Sequence, residues 1–149
     1  MQLTRYTDYS LRVLLYLAVM EGGGTISEIA ASYNISRNHL VKVAHQLGKE
    51  GYVATTRGRS GGLQLGQDPG GINLGEVVRR VEPNFHLVEC FNTAENRCVI
   101  TPACTLTGVL AQAHRAFFAV LDQYTLKDLL DNKDELRRLL SLRADALRN

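Results

Sequence analysis

The chain has 149 residues, of which 45% are hydrophobic and 21% charged, and its formal net charge is +2. This length and composition exclude intrinsic disorder, a collagen-like repeat and a disulfide-dense scaffold. The longest apolar run near the start, 13–20, is too short to span a bilayer, and it lacks the basic start and cleavage site of a secretory signal. We therefore expect a cytoplasmic protein without membrane contact, in which three cysteines indicate metal binding or redox chemistry before disulfides.

Three short helices are predicted in the first third of the chain. Thr7 is a candidate cap for the first, whose apolar stripe ends at three successive glycines, 22–24. Thr25 and Glu28 have the spacing of a capping box and predict a second helix. A brief turn then leads to Ser36, the predicted N-cap of a third helix. Two helices joined by such a short turn have the dimensions of a helix-turn-helix.

A β-hairpin is predicted directly after the third helix. Residues 52–56 are rich in β-forming side chains, and residues 63–65 alternate between apolar and polar. The glycine-rich stretch 57–62 between them is the predicted tip of the hairpin. It does not fit a phosphate-binding P-loop, because no Lys-Ser/Thr pair and no helix follow it. A helix-turn-helix followed by a basic hairpin predicts a winged helix.

The rest of the chain is predicted to be helical, with one irregular segment. A capping pattern at 73–76 opens a helix that stops at Pro83, whereas residues 84–105 have no regular periodicity. An apolar stripe over 106–121 then predicts a long helix, which fits either a dimer seam or packing on the protein's own core. Two short helices follow, beginning near Thr125 and Asn132.

These elements predict a mainly α-helical protein with a small β-hairpin wing and a long dimerisation helix. We expect three parts along the chain. They are a winged-helix DNA-binding domain (1–82), a cysteine-bearing cluster-binding loop (83–105) and a dimerisation helix with the C-terminal helices (106–149).

The start of the third helix is the candidate DNA-reading surface, because this part of a helix-turn-helix meets base edges. Arginine pairs well with guanine and asparagine with adenine. Residues 36–59 hold five basic residues against Glu50 alone, which suits phosphate contacts, although a solvated helix face gives the same count. Winged helices also mediate protein contacts, and that alternative stays open. The candidate DNA-binding residues are Ser36, Arg37, Asn38, His39 and Lys42 on the helix and Arg57, Arg59, Ser60 and Gly61 in the wing.

Three cysteines form the second candidate site. Structural zinc sites usually pair cysteines about two to four residues apart, and the spacing here is wider. Three thiolates in one loop fit a [4Fe–4S] cluster and leave one iron for a fourth donor. The alternative, three inert core cysteines, agrees poorly with the polar residues around them. The cysteines are Cys90, Cys98 and Cys104, and from the residues alone the fourth donor stays open among Asp8, His86, Glu89, Glu95 and His114.

Asp8 also has an ordinary role available to it. It lies in the first turn of the first helix, where a carboxylate faces the positive end of the helix dipole, and Arg12 follows four residues later as a salt-bridge partner. Considered by itself, the sequence favours this ordinary role.

Four stretches together resemble the NsrR family of bacterial nitric-oxide-sensing iron–sulfur repressors, which is related to IscR. They are Asp8–Arg12, Ser36–Leu40, 57–62 and Cys98–Cys104. The resemblance runs over residues 1–130. It implies a homodimeric repressor that binds a palindromic operator in double-stranded DNA. It further implies one [4Fe–4S] cluster per subunit, bound by the three cysteines.

The resemblance also implies a fourth ligand. In IscR-like proteins a histidine three residues after the last cysteine completes the cluster, and Thr107 stands at that place here. In NsrR-like proteins an aspartate of the partner subunit does so, and Asp8 matches it, with Arg12 placed to support it. Nitric oxide is then the signal that breaks this bridge and releases the operator.

Two other functions remain open beside a nitric-oxide sensor. A regulator of iron–sulfur supply or redox state on the same scaffold is the first, and a zinc-bound structural DNA-binding module is the second. An enzyme is not expected, because no nucleophile–base pair or cofactor fingerprint accompanies the cysteines.

Overall fold

The computed structural model describes residues 2–56 and 61–146. It is mainly helical with one antiparallel two-stranded hairpin, in which Val53 lies opposite Leu65. Three of the predicted wing residues, Arg57, Arg59 and Ser60, lie outside the described residues. The helices are α1 (Arg5–Val19), α2 (Ile26–Tyr33), α3 (Arg37–Lys49), α4 (Leu74–Val81), α5 (Thr105–Leu121) and α6 (Lys133–Ala146), and the strands are β1 (Val53–Thr56) and β2 (Gly62–Leu65). Short 3-10 turns cover Pro69–Gly71, Glu89–Phe91, Thr101–Ala103 and Leu126–Leu129.

Side-chain caps mark the start of α1, α2 and α4. The capping box of Thr25 and Glu28 is confirmed, since both of its hydrogen bonds are present. Asn34 ends α2 in the left-handed conformation with φ of 55°, which a short asparagine side chain tolerates. Ser36 is the N-cap residue of α3, but its side chain forms no capping hydrogen bond. The turn between α2 and α3 therefore depends on backbone conformation rather than on a serine cap.

The predicted cap of α1 is wrong. Thr4 caps this helix, and its Oγ1 accepts a hydrogen bond from the backbone N–H of Thr7 at 3.3 Å. The hydroxyl of Thr7 is fully buried and donates instead to Glu82. The helix consequently begins at Arg5, directly after Thr4, and Thr7 lies inside its first turn.

The core lies where α1, α2, α3 and the hairpin meet. Leu14 of α1, Ile29 of α2 and Leu40 and Leu47 of α3 are essentially inaccessible to solvent. Each such side chain contributes roughly 1.5–3 kcal/mol when it leaves water. Because one face of α3 is committed to this core, its opposite face is left in solvent.

The end of the chain returns to the N-terminal part. Helix α6 packs against α2. Lys133 pairs with Glu21, and Arg137 donates to the backbone carbonyl of Val19 at 3.0 Å. Leu126 is buried in the same core. The three-part division of the sequence stays a prediction. Within the described ranges, no helix is both long and apolar enough to cross a membrane.

Helix α5 is only partly covered. Phe118 is its one buried residue, and it packs against Phe85 at a ring distance of 4.8 Å. Three large apolar side chains of the helix are open to solvent, namely Leu106 (59%), Val109 (60%) and Val120 (55%). A helix with one anchored side thus presents an uncovered apolar stripe.

Candidate DNA-reading helix and cysteine site

The first turns of α3 present the predicted reading residues to solvent. Leu40 and Val43 point into the core and fix the rotation of the helix. Ser36, Arg37, Asn38, His39 and Lys42 are all exposed. Gly61, the first described residue after the hairpin tip, is partly exposed. The sequence-predicted helical set therefore lies on the solvent side of α3.

Two further residues share this face and were not predicted. Val41 is 42% exposed, and His45 is exposed one turn later. An apolar side chain suits the methyl group of thymine, and imidazole donates or accepts hydrogen bonds. The signal was available in the sequence, because both residues follow Asn38 at helical spacing.

Helix α1 holds the start of α3 at two points. The hydroxyl of Tyr6 donates to the backbone carbonyl of Lys42 at 3.2 Å. The ring of Tyr9 lies 6.2 Å from that of His39. Because these two tyrosines flank Asp8 closely in the first turns of α1, a displacement of that turn acts directly on the reading helix.

Asp8 and Arg12 form the salt bridge that their spacing predicted. The Nε and Nη2 atoms of Arg12 each lie 2.9 Å from an oxygen of Asp8, and 43% of each side chain is exposed. The guanidinium also lies 5.8 Å from the ring centroid of Tyr33, whose pKa burial raises to about 12. Asp8 is thus oriented by Arg12 and accessible from solvent.

Cys90 and Cys104 meet at one hydroxyl group. The sulfur of the half-buried Cys90 lies 3.4 Å from Oγ1 of Thr107. Cys104 is the N-cap residue of α5, three residues before Thr107, although its side chain forms no regular capping bond. A hydrogen bond from the Thr107 side chain lowers the pKa of Cys104, and the N–H groups of Thr107 and Leu106 lower it further. Both thiols therefore lie next to the side chain of Thr107.

Cys98 lies apart in an exposed turn. Its N–H donates to Asn96 Oδ1 at 3.0 Å, and its carbonyl accepts from Thr101 Oγ1 at 2.9 Å. Val99 and Ile100 follow with 90% and 61% of their surfaces exposed. Among the residues that the structure describes, no three His, Cys, Asp or Glu side chains are grouped so as to hold one metal ion. The structure brings two of the three predicted thiols together, and not the third.

The other candidates for the fourth ligand have contacts of their own. Glu89 accepts from the N–H of Arg97 at 2.6 Å, and Glu95 accepts from Asn92 at 2.8 Å, so both carboxylates brace the cysteine segment. His114 packs among three phenylalanines, Phe85, Phe91 and Phe118. Its Nε2 is buried without a partner in the described part of the chain. His86 is exposed.

The donor set fits a multinuclear cluster better than a single ion. A zinc site needs four convergent ligands, whereas each thiolate of a [4Fe–4S] cluster binds a different iron. All three cysteines are free thiols, two beside Thr107 and one on an accessible turn. No fourth thiol exists in the chain, so a different donor must complete any such cluster.

Comparison with known proteins places this geometry in a family. The family model described as "Rrf2: Iron-dependent Transcriptional regulator" matches residues 3–132. The chain belongs to the Rrf2 family of transcriptional regulators. The HTH-type transcriptional regulator NsrR of Bacillus subtilis (strain 168) is 54% identical over 145 residues, which is 96% of this chain and 99% of that protein. NsrR of Halalkalibacterium halodurans is 53% identical over the same shares of both chains.

Solved Rrf2 structures share the fold. CymR of B. subtilis, described as the global cysteine regulator, superposes with a TM-score of 0.72 at 27% identity, over 87% of this chain and 95% of its own. IscR of T. potens has the same TM-score at 23% identity, over 91% and 90%. The predicted winged-helix fold and the resemblance to NsrR are confirmed. These Rrf2 relatives are transcriptional regulators, which are not enzymes.

Proposed function

We propose that this Rrf2 protein is a DNA-binding repressor that senses nitric oxide through a [4Fe–4S] cluster and releases its operator in response. One observation carries the proposal: the turn that bears Asp8 touches the reading helix through Tyr6 and Tyr9. A displacement of Asp8 is therefore passed to the DNA-reading surface through the side chains of Tyr6 and Tyr9.

The proposed repressor is a homodimer joined along α5. The uncovered stripe of Leu106, Val109 and Val120 supports this, because contiguous exposed apolar surface marks an interaction face. A two-fold axis suits a palindromic operator, in which half-sites are separated by about one helical turn, roughly 34 Å, or a multiple of it. The dimer sets the distance between the two reading helices.

Cys90, Cys98 and Cys104 of one subunit, with Asp8 of the partner subunit, would hold each cluster. When bound, the cluster supplies iron atoms that react with nitric oxide. Asp8 is accessible, and Arg12 fixes its carboxylate at two points, so it is ready to bind outside its own subunit. Carboxylates are harder donors than thiolates and would hold an iron–sulfur centre less strongly, so this contact would be the weakest of the four. Because Tyr6 and Tyr9 contact α3 from the same turn, a movement of Asp8 would be passed to the reading helix.

The decisive experiment is purification without oxygen, followed by iron and sulfide analysis and by binding of operator-sized DNA before and after titration with nitric oxide. About four irons per chain, as a [4Fe–4S] cluster requires, with DNA release by nitric oxide, support the proposal. Iron with DNA binding that ignores nitric oxide contradicts the sensing role. Zinc, or no metal, contradicts the cluster.

A sensor of redox state or iron–sulfur supply is the second candidate. The observation in its favour is that the free thiols Cys90 and Cys104 are partly exposed and that both lie next to the hydroxyl of Thr107. The same experiment separates the two functions, because this regulator responds to oxidant or to cluster loss and not to nitric oxide.

A further inference from the structure

Glu82 connects the cysteine segment to α1. It is the C-cap residue of α4, and Pro83, the first residue of the segment, follows it. Its Oε2 accepts three hydrogen bonds from the N-cap and the first turn of α1: from N and Oγ1 of Thr4 at 3.0 Å each, and from Oγ1 of Thr7 at 2.5 Å. These three hydrogen bonds involve neither the cysteines nor Asp8, so the proposed cluster ligands do not explain why they are present.

The connection is stiff at both ends. Pro83 restricts the backbone of Glu82 to extended conformations, and Glu82 has φ of −80° and ψ of 127°. Thr7 is completely buried, so no water replaces a lost partner of its hydroxyl, whose other polar neighbour is Oγ1 of Thr4 at 3.2 Å. The carboxylate also faces the positive end of the helix dipole. A change in the direction of the segment after Pro83 must therefore move the first turn of α1 or break these bonds.

The turn that Glu82 holds is the turn that contacts the reading helix. Thr7 lies between Tyr6, which bonds to the carbonyl of Lys42, and Asp8. Tyr9 follows and packs against His39. A continuous set of contacts thus runs within one subunit from the cysteine segment to the start of α3.

We propose that Glu82 is a positioning residue that transmits the state of the cysteine segment to α3 through Thr7 and the first turn of α1. The inference rests on the proposed function for the identity of the signal, and it adds a route within the subunit to the proposed contact between Asp8 and the cluster of the partner subunit. Two inputs then act on one helical turn, so each subunit responds to its own cysteine segment as well as to its neighbour's.

The test compares Thr7→Val and Glu82→Gln with Glu76→Gln. Glu76 is an exposed carboxylate on the same helix α4, so its replacement removes the same charge without touching α1. Glu82→Gln keeps a carbonyl oxygen for the N–H of Thr4, which protects the fold if Thr7→Val proves too disruptive. For each protein the operator affinity is measured with the cluster loaded and after nitric oxide. The expected result is a ratio of the two affinities reduced by about fivefold or more in both test variants and unchanged in the control.

Equal losses of affinity in both states would overturn the proposal, because a merely structural residue weakens both alike. A second measurement does not depend on nitric oxide. In the metal-free protein, amide hydrogen exchange of α1 and α3 is compared with the wild type by mass spectrometry. Faster exchange at the start of both helices supports the connection, whereas faster exchange confined to α1 overturns it. If the wild type itself ignores nitric oxide, the proposed function fails and this second measurement still decides the role of Glu82.

Discussion

Arg79 and Asp122 join α4 to the end of α5 through two parallel hydrogen bonds. Nη1 and Nη2 of Arg79 lie 2.6 and 2.7 Å from the two oxygens of Asp122. The guanidinium carbon also lies 4.3 Å from the ring centroid of Phe118. Gly75 leaves room for this pair, because a Cβ atom there would lie 1.9 Å from Asp122 Oδ1. The glycine is therefore a packing requirement of the ion pair.

The first prediction concerns Gly75→Ala. Alanine is the better helix former by about 1 kcal/mol, but its Cβ must displace the carboxylate of Asp122. In an Asp122→Ala background we expect Gly75→Ala to raise the free energy of unfolding by roughly 0.5–1 kcal/mol, whereas in the wild-type background the gain is lost. Urea denaturation of the four proteins measures both effects. An identical change in the two backgrounds would show that the glycine does not serve the pair.

The second prediction concerns the pH dependence of stability. A hydrogen bond from Arg79 is the main cause that lowers the pKa of Asp122. A hydrogen bond from Lys133 likewise lowers the pKa of Glu21. A carboxyl whose pKa is lowered by folding stabilises the protein fully above its unfolded-state pKa and loses this contribution as the pH falls through the folded value. Stability should therefore fall below about pH 4.

Asp122→Asn should reduce that fall, because it removes one of the responsible carboxyls. Asp131→Asn is the control, since Asp131 is an exposed carboxylate outside these ion pairs. Urea midpoints between neutral and acidic pH provide the comparison. Equal pH profiles for the wild type and Asp122→Asn would contradict the prediction.

The third prediction separates base reading from phosphate binding on α3. Asn38→Ala should weaken operator binding by about 1–3 kcal/mol and relax sequence preference, since an amide reads adenine through two hydrogen bonds. Lys42→Ala should weaken operator and random DNA alike and reduce the salt slope by about one.

Fluorescence anisotropy with both DNAs over a salt series measures these effects. Lys127→Ala is the control, because it removes an exposed cation in the turn after α5, distant in sequence from the reading helix. A uniform loss for Asn38→Ala, equal on operator and random DNA, would place Asn38 outside base recognition.

The fourth prediction concerns Thr107. Because the Thr107 side chain lowers the pKa of Cys104, Thr107→Val should move that pKa up. In the metal-free protein, alkylation of Cys104 should then require higher pH, since only the thiolate reacts. Mass spectrometry of the alkylated peptides follows each cysteine separately. Thr105→Val is the matched control on the exposed side of the same turn, and a profile shared by both variants would rule out the effect.

The fifth prediction concerns Asp8. Asp8→Ala should reduce the effect of nitric oxide on operator binding, because this variant lacks the proposed ligand to the cluster of the partner subunit. Operator binding of the loaded variant is measured during titration with nitric oxide, with Asp131→Ala as the control for loss of a carboxylate. An operator response identical to that of the wild type would exclude the bridging role.

Short-range patterns in the sequence determined a large part of this protein. The capping box of Thr25 and Glu28, the short turn before Ser36 and the third helix that follows it were all predicted, because each depends on residues a few positions apart. The same is true of the salt bridge between Asp8 and Arg12. Local spacing fixes helix ends and helix faces, and it also identified the candidate DNA-binding residues of α3.

Tertiary structure alone decided which of these surfaces meet. Thr7 had the pattern of a cap, yet a carboxylate 75 residues away took its hydroxyl. The hydroxyl of Thr107 lies 3.4 Å from the sulfur of Cys90, 17 residues earlier. The packing of α6 against α2 likewise has no signature in either segment. Contacts of this kind depend on how the whole chain buries its apolar faces, and the geometry that results is what connects the cysteine segment to the reading helix.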